Sequence, residues 1–417
     1  MTLIRFILDS IREMLTGSRR YWLWLLVLAA VIALGASAYM QQLERGLVVT
    51  GMSDQVSWGF YIANFAFLVG IAAAAVLLVI PAYIFNRKDI KDVVLVGEGM
   101  AVAAVTMAIM FVIVDLGRPD RIWHMIPGIG RFNFPTSLLA WDVVVLNGYL
   151  LLNLGIPFYV LFSRYRGKEP NFRLYFPFVV LAMFWAISIH TVTAFLFSAN
   201  PSRPFWHTAL LGPRFIASAF ASGPALIILT LQIVRKMTDY HVSQSVIDTL
   251  AIIMTVALQI SLFFVGVELF TDFYNEGAHA ASIHYLFFGL GGFGSLKPWI
   301  WSALALNLVG VTILMIHPLR RNTLTLNLAC VLVFVGIWIE KGMGLVIPGF
   351  IPTPLGEIFE YSPSIIELRI AAGVWAFGIL VFTMIAKAVI AIQMGRVSYA
   401  RHLPGHSQRT GVRPAPG

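Results

Sequence analysis

Residues 93–123 read VVLVGEGMAVAAVTMAIMFVIVDLGRPDRIW. An apolar run of helical length, interrupted by one acid at Glu98, stops in a segment crowded with Asp115, Arg118, Asp120, Arg121 and Trp123. A second apolar run opens just past Asn133, Pro135 and Thr136. A membrane-spanning helix needs about 20 largely apolar residues. The stretch therefore reads as one crossing, a polar turn at the membrane face, and a return. Two arginines and two acids at such a boundary serve either a structural lock or a site.

Worked outward, the same pattern repeats along the chain. Ten spans are predicted, at 21–41, 57–85, 93–116, 136–163, 174–198, 213–234, 246–272, 298–316, 323–341 and 368–394. The fold class is all-α integral membrane. Of the 417 residues 59% are hydrophobic and 12% charged, against about 25% charged in soluble domains. The net charge of +9 does not imply a nucleic-acid partner, because the basic residues sit in short loops between apolar runs, where they set orientation. Nineteen Lys and Arg, including Arg87, Lys88, Arg164, Arg166, Arg235, Lys236, Arg320 and Arg321, fall on one side, and nine, including Arg214 and Lys341, on the other. Both termini are thus expected in the cytoplasm, with the lipid bilayer as the solvent of everything between.

Leu3, Ile4, Ile7, Leu8, Ile11 and Leu15 recur at helical spacing among Arg5, Asp9, Arg12 and Glu13. This predicts a cytoplasmic interfacial helix over 1–20, followed by a transmembrane domain over 21–398. Ala36-Ser37-Ala38 resembles a signal-cleavage site, but cleavage there would leave nine spans, and the segment is read as retained. The stretch 399–417, rich in Pro, Gly and Arg, is expected to be a disordered cytoplasmic tail.

Cys330 is the only cysteine. Iron–sulfur clusters are normally held by four thiolates, and c-type haem needs C-x-x-C-H. Only His190 of nine histidines lies well inside a span, so a b-type haem lacks its pair of axial ligands. The expectation is a chain without metal, haem or cluster of its own, so that any redox chemistry needs a small carrier and a partner subunit.

Polar side chains converge near the outer face. Asp142 lies roughly 9 Å below the outer boundary of the fourth span, and His190 roughly 12 Å deep in the fifth. Glu268 stands one turn from the outer end of the seventh, Asp115 ends the third, and Tyr61 and Asn64 begin the second. A quinone headgroup suits such a layer, being reachable sideways from lipid and needing a proton acceptor beside its oxygens. His190 is the candidate acceptor, and Asp142 could orient it. Plainer readings stand beside these. Asp142 could pair with Arg118 or Arg121 and lock the loop, Asp115 could pair with Arg118, and His190 could bond a backbone carbonyl. The tryptophans Trp58, Trp123, Trp141, Trp206, Trp299 and Trp301 read mostly as an interfacial belt. Glu98, a turn or two in from the cytoplasm, and Glu268 could belong to a proton path.

Asp115–Trp123 with Asn133, Ser137 and Trp141, then WAISIHTVTAF (185–195), GPRFIASAFASGP (212–224) and HYLFFG (284–289) followed by PWIW (298–301), resemble the NrfD/PsrC-type membrane subunits of redox complexes. The pattern is most similar to the family's DsrP-type branch, which serves the DsrMKJOP complex of sulfur metabolism. The resemblance implies two four-helix bundles, here about 57–198 and 213–341, with flanking spans 21–41 and 368–394. It also implies a location in a bacterial or archaeal inner membrane and an exchangeable menaquinone or ubiquinone near the outer face. His190 and Asp142 then correspond to the family's quinone-site histidine and acid, with Tyr61 or Asn64 at the second carbonyl. The implied partners are a periplasmic, ferredoxin-like iron–sulfur subunit, other membrane subunits and, in some complexes, a multihaem cytochrome c. Arg118 and Arg121, with Asp115 and Trp123, would order the loop that docks the partner. Two rival functions remain, a proton- or ion-translocating subunit and a structural anchor.

Overall fold

The computed structural model describes residues 2–275 and 277–402. Among these the chain is helices and connecting turns, without a strand. In chain order the helices are α1 (Thr2–Met14), α2 (Arg19–Arg45), α3 (Phe60–Ala73), α4 (Val76–Tyr83), α5 (Lys88–Asp115), α6 (Leu138–Tyr165), α7 (Phe172–Ser198), α8 (Leu211–Met237), α9 (Gln244–Asn275) and α10 (Ala278–Phe287). They continue as α11 (Lys297–Met315), α12 (His317–Arg321), α13 (Thr323–Lys341), α14 (Met343–Val346) and α15 (Ile365–Gln393). Among the described residues ten segments are long and apolar enough to cross a membrane. They coincide with the ten predicted spans, and the protein is a multi-pass integral membrane protein.

The packing follows chain order. Helices α3 to α7 pack on one another, as do α8, α9, α11 and α13; contacts of α3 with α8 and α13 join the two groups. Helices α2 and α15 lie side by side, with α15 also against α5. Helix α1 docks through Phe6, whose ring meets Phe158, Phe162 and Tyr165 at 5.3–5.5 Å. The stripe Leu3, Ile4, Ile7, Leu8, Ile11 and Leu15 is left exposed. Residues 399–402, expected to open the disordered tail, form a short 3-10 helix, Tyr399–His402; the rest of that stretch lies outside the described residues.

Two departures from simple spans shape the interior. The second span is broken between α3 and α4, where hydrogen bonds tighten from the α-helical to the 3-10 pattern, as from Ala74 N to Ile71 O and from Leu77 N to Ala74 O. The Tyr149 hydroxyl donates to the Ala72 carbonyl at 3.3 Å beside the break. Close helix contact accompanies it: a Cβ on Gly223 of α8 would stand 1.9 Å from the Ala74 Cβ.

The ninth span does not stop at Lys341. It turns through Gly342 into α14 and the 3-10 helix Pro348–Phe350, buried apart from the half-buried Met343. Lys341 therefore lies nine residues inside the segment's end, not in an outer loop. Arg214 likewise belongs to α8. Neither is an outer loop charge, as their places in the sequence suggest; removing them from that count leaves the cytoplasmic bias of the loops stronger.

Candidate functional site

Helix α7 presents Ala186, Ile189, His190, Thr193, Ala194 and Phe197 inward, the spacing of one helical face. Thr193 is fully buried and its hydroxyl donates to Asp142 Oδ1 of α6 at 3.0 Å. Asp142 is only 4% exposed. It pairs with neither Arg118 nor Arg121, which corrects the loop-lock reading: Arg118 makes a two-pronged bond to Asp120 at 2.9 and 3.0 Å, out in solvent.

His190, one turn before Thr193, is 1% exposed. Neither ring nitrogen has a hydrogen-bond partner of good geometry. The Ala186 carbonyl, one turn back, is its backbone neighbour, and Lys341 is the charged side chain that acts on it. Lys341 Nζ donates to the Phe215 carbonyl at 3.3 Å and sits 4.2 Å from that ring's centroid. Glycine at position 70 makes room for it, since a Cβ there would come within 3.1 Å of Nζ.

Beside Lys341 lies a buried ionic network that the sequence reading missed. Arg214 of α8 bonds both Glu268 of α9 and, at 3.1 Å, Glu340 of α13. Asn307 of α11 donates to the second Glu340 oxygen at 3.1 Å. Glu268 is thus a paired group, not a solvated one. A cavity of about 10 Å³, lined by Arg214, Ser218, Glu340 and Lys341 among others, adjoins the network, about the room for one water.

The family model for polysulphide reductase, NrfD, matches residues 48–351. The chain belongs to this family. An Archaeoglobus fulgidus protein named as an Hdr-like menaquinol oxidoreductase integral membrane subunit is 28% identical over 89% of this chain and 93% of its own. A Halobacterium salinarum protein, named as a putative membrane subunit of a dimethyl sulfoxide reductase, is 27% identical over 87% and 89%. The menaquinone reductase integral membrane subunit of Nitratidesulfovibrio vulgaris is 22% identical over 88% and 90%.

In this NrfD-family chain the remaining expected residues are engaged elsewhere. Tyr61 donates to Gln42 of α2 at 2.7 Å, and Gln42 in turn to the Val114 carbonyl at 2.6 Å. Asn64 Oδ1 accepts from Trp338 at 3.1 Å and Trp375 at 2.9 Å, while its amide donates to the Phe60 carbonyl. Both bind α3 to neighbouring helices rather than meeting His190. Asp115 does not pair with Arg118: its Oδ1 is buried without a partner, and Glu367 is the charge that reaches it. Arg121 and Trp123 are exposed, Trp123 stacked on His124 at 3.9 Å. Trp206 is no belt residue. It is 1% exposed, donates to the Leu345 carbonyl at 2.9 Å, and packs with Trp58, Phe197 and Phe350.

Glu340 and Lys341 escape a sequence reading because Gly342-Met343-Gly344 reads as the start of a loop. Arg214 follows Gly212-Pro213 and reads as a flanking charge. The usable signal was adjacency: an acid and a base ending one apolar run, facing an acid at the end of another.

Proposed function

We propose that the chain is the quinone-interacting membrane subunit of a multi-subunit redox complex, with His190 and Asp142 as the headgroup residues. The carrying observation is His190, fully buried with no hydrogen bond of good geometry at either ring nitrogen and only the Ala186 carbonyl as a backbone neighbour. A buried polar group without a partner is costly, so an imidazole kept in that state suits a ligand atom better than packing. The donor set fits a quinone: an imidazole to give or take a proton, and a carboxylate whose Oδ1 is fixed by Thr193. Trp141 and Val144 of α6 and Ile187 of α7, all exposed within a turn of Asp142 or His190, are the surface a quinone arriving from lipid would meet.

A quinone bound there would supply two-electron, two-proton chemistry. His190 would hold the proton at Nδ1 or Nε2, with Lys341 setting the local charge. Thr193 keeps Asp142 in one rotamer, and the apolar walls of α6 and α7 exclude bulk water. The names of the Archaeoglobus and Nitratidesulfovibrio relatives favour menaquinone over ubiquinone. The electron partner proposed is a periplasmic iron–sulfur subunit docked on the outer loops, because a single cysteine cannot ligate a cluster. The DsrP-type likeness would make the complex one of sulfur metabolism.

The test is a fluorescence-quench titration with a quinone-analogue inhibitor, wild type beside His190→Ala. Saturable quenching that weakens several-fold in a folded variant supports the site. No saturable binding by folded wild type in its complex overturns it.

A further inference from the structure

Glu98 lies ten residues past Lys88 in α5, about 15 Å along the helix. It is 3% exposed, and its Oε2 has no hydrogen-bond partner. Among the described residues no Lys or Arg forms an ion pair with it. The side chain lines a cavity of about 10 Å³ together with Val76 and Val79 below the break in the second span, Tyr149 and Asn153 of α6, and Val179 of α7. Asn153 is held by a 2.9 Å bond from its amide to the Tyr149 carbonyl, and Tyr149 by its bond to Ala72.

Tyr149, Tyr83 of α4 and Tyr175 of α7 are the ionisable side chains on which the Glu98 charge acts. The Tyr83 and Tyr175 rings meet edge to face at 6.0 Å, and Lys91 Nζ lies 5.7 Å from the Tyr83 centroid. Lys91 lies two turns before Glu98 on α5, so this polar cluster stands on the side of Glu98 toward the loop face expected in the cytoplasm. Toward the His190 layer the cluster stops: Asp142 is two turns up α6 from Tyr149, and Val145 and Leu146, both buried and apolar, fill the interval.

We propose that Glu98, Tyr149 and Asn153 form a hydrated protonation site at the broken second span, separate from the quinone layer and exchanging with the cytoplasmic face past Tyr83 and Tyr175. An unpaired carboxylate in an apolar interior is costly, and either a proton or a cation removes that cost. A cavity of this size admits one water beside the carboxyl. The step is simple exchange: the carboxylate takes a proton from hydronium, releasing water, and returns it by the reverse route. No electron moves, so the site stands whether or not the quinone reading does.

The test is infrared spectroscopy of the full chain in nanodiscs, followed in the carbonyl-stretch region of protonated carboxylic acids. Wild type is expected to show such a band, shifting in D2O and on 13C-glutamate labelling, and absent from a folded Glu98→Gln variant. The labelling needs no variant and keeps the assignment to a glutamate independent of how Glu98→Gln folds. A band unchanged in folded Glu98→Gln, or one that never exchanges in D2O, overturns the proposal. So does loss of the band on adding Na+ at constant pH, which would make the site a cation site.

Discussion

Thr193 and Asp142 join α7 to α6 through one fully buried hydrogen bond of 3.0 Å. Because His190 sits one turn from Thr193, this bond fixes the carboxylate relative to the imidazole without the two touching. Thr193→Val keeps the shape and strands the Asp142 oxygen, which costs about 1–3 kcal/mol. Thermal unfolding in detergent should register the loss, and quinone-analogue affinity should fall several-fold. Unchanged affinity would show that Asp142 needs no positioning by Thr193.

The Arg214 network makes a second, opposite prediction. Arg214→Leu leaves Glu268 and Glu340 buried together without their cation, which is expected to cost about 3–5 kcal/mol. Replacing all three with apolar residues of similar volume should recover most of it. Unfolding of the single and triple variants, side by side, checks the ordering.

Close packing at the second-span break is tested by two glycines. Gly223→Ala forces a Cβ into Ala74 and should destabilise by about 1–3 kcal/mol. Gly266→Ala in α9 meets nothing within 4 Å and should be neutral or stabilising by up to about 1 kcal/mol. The difference in melting temperature is the readout.

Outside the membrane, Glu360 accepts from Ser295 N at 2.7 Å and from the Tyr285 hydroxyl at 3.1 Å. Burial acts to raise its carboxyl, but the bonds from Ser295 and Tyr285 hold it below the usual carboxylate range. Tyr285, pushed up to about 12 mainly by burial, stays a donor. A depressed folded value means the tether is complete above about pH 5 and fades as pH falls through the carboxylate range. Hydrogen exchange at the Ser295 amide should be faster in Glu360→Gln than in wild type at neutral pH. The two should converge in acid.

The ten spans were legible because length and hydropathy alone set them. The burial of His190 and Asp142 was legible because they are polar residues deep in apolar runs. Tyr61 and Asn64 looked equivalent in depth, but depth carries no azimuth, and their side chains point to α2, α13 and α15. The break at Ala74 leaves no trace in composition, since alanines suit an unbroken helix as well as a tightened one. The close contact beside it comes from Gly223 on another helix, which no local pattern contains.

Glu367, in the first turn of α15, accepts from Gly51 N at 2.7 Å, from Ser364 N at 2.8 Å and from the Tyr361 hydroxyl, which itself accepts from Phe60 N at 2.8 Å. One carboxylate therefore fastens the tenth span to the connection between the first two. Synthesis runs from the N-terminus, so α15 enters the bilayer after the other nine crossings among the described residues, and this fastening cannot form before it does. Until then the early helices wait with Gly51 and Phe60 unlatched.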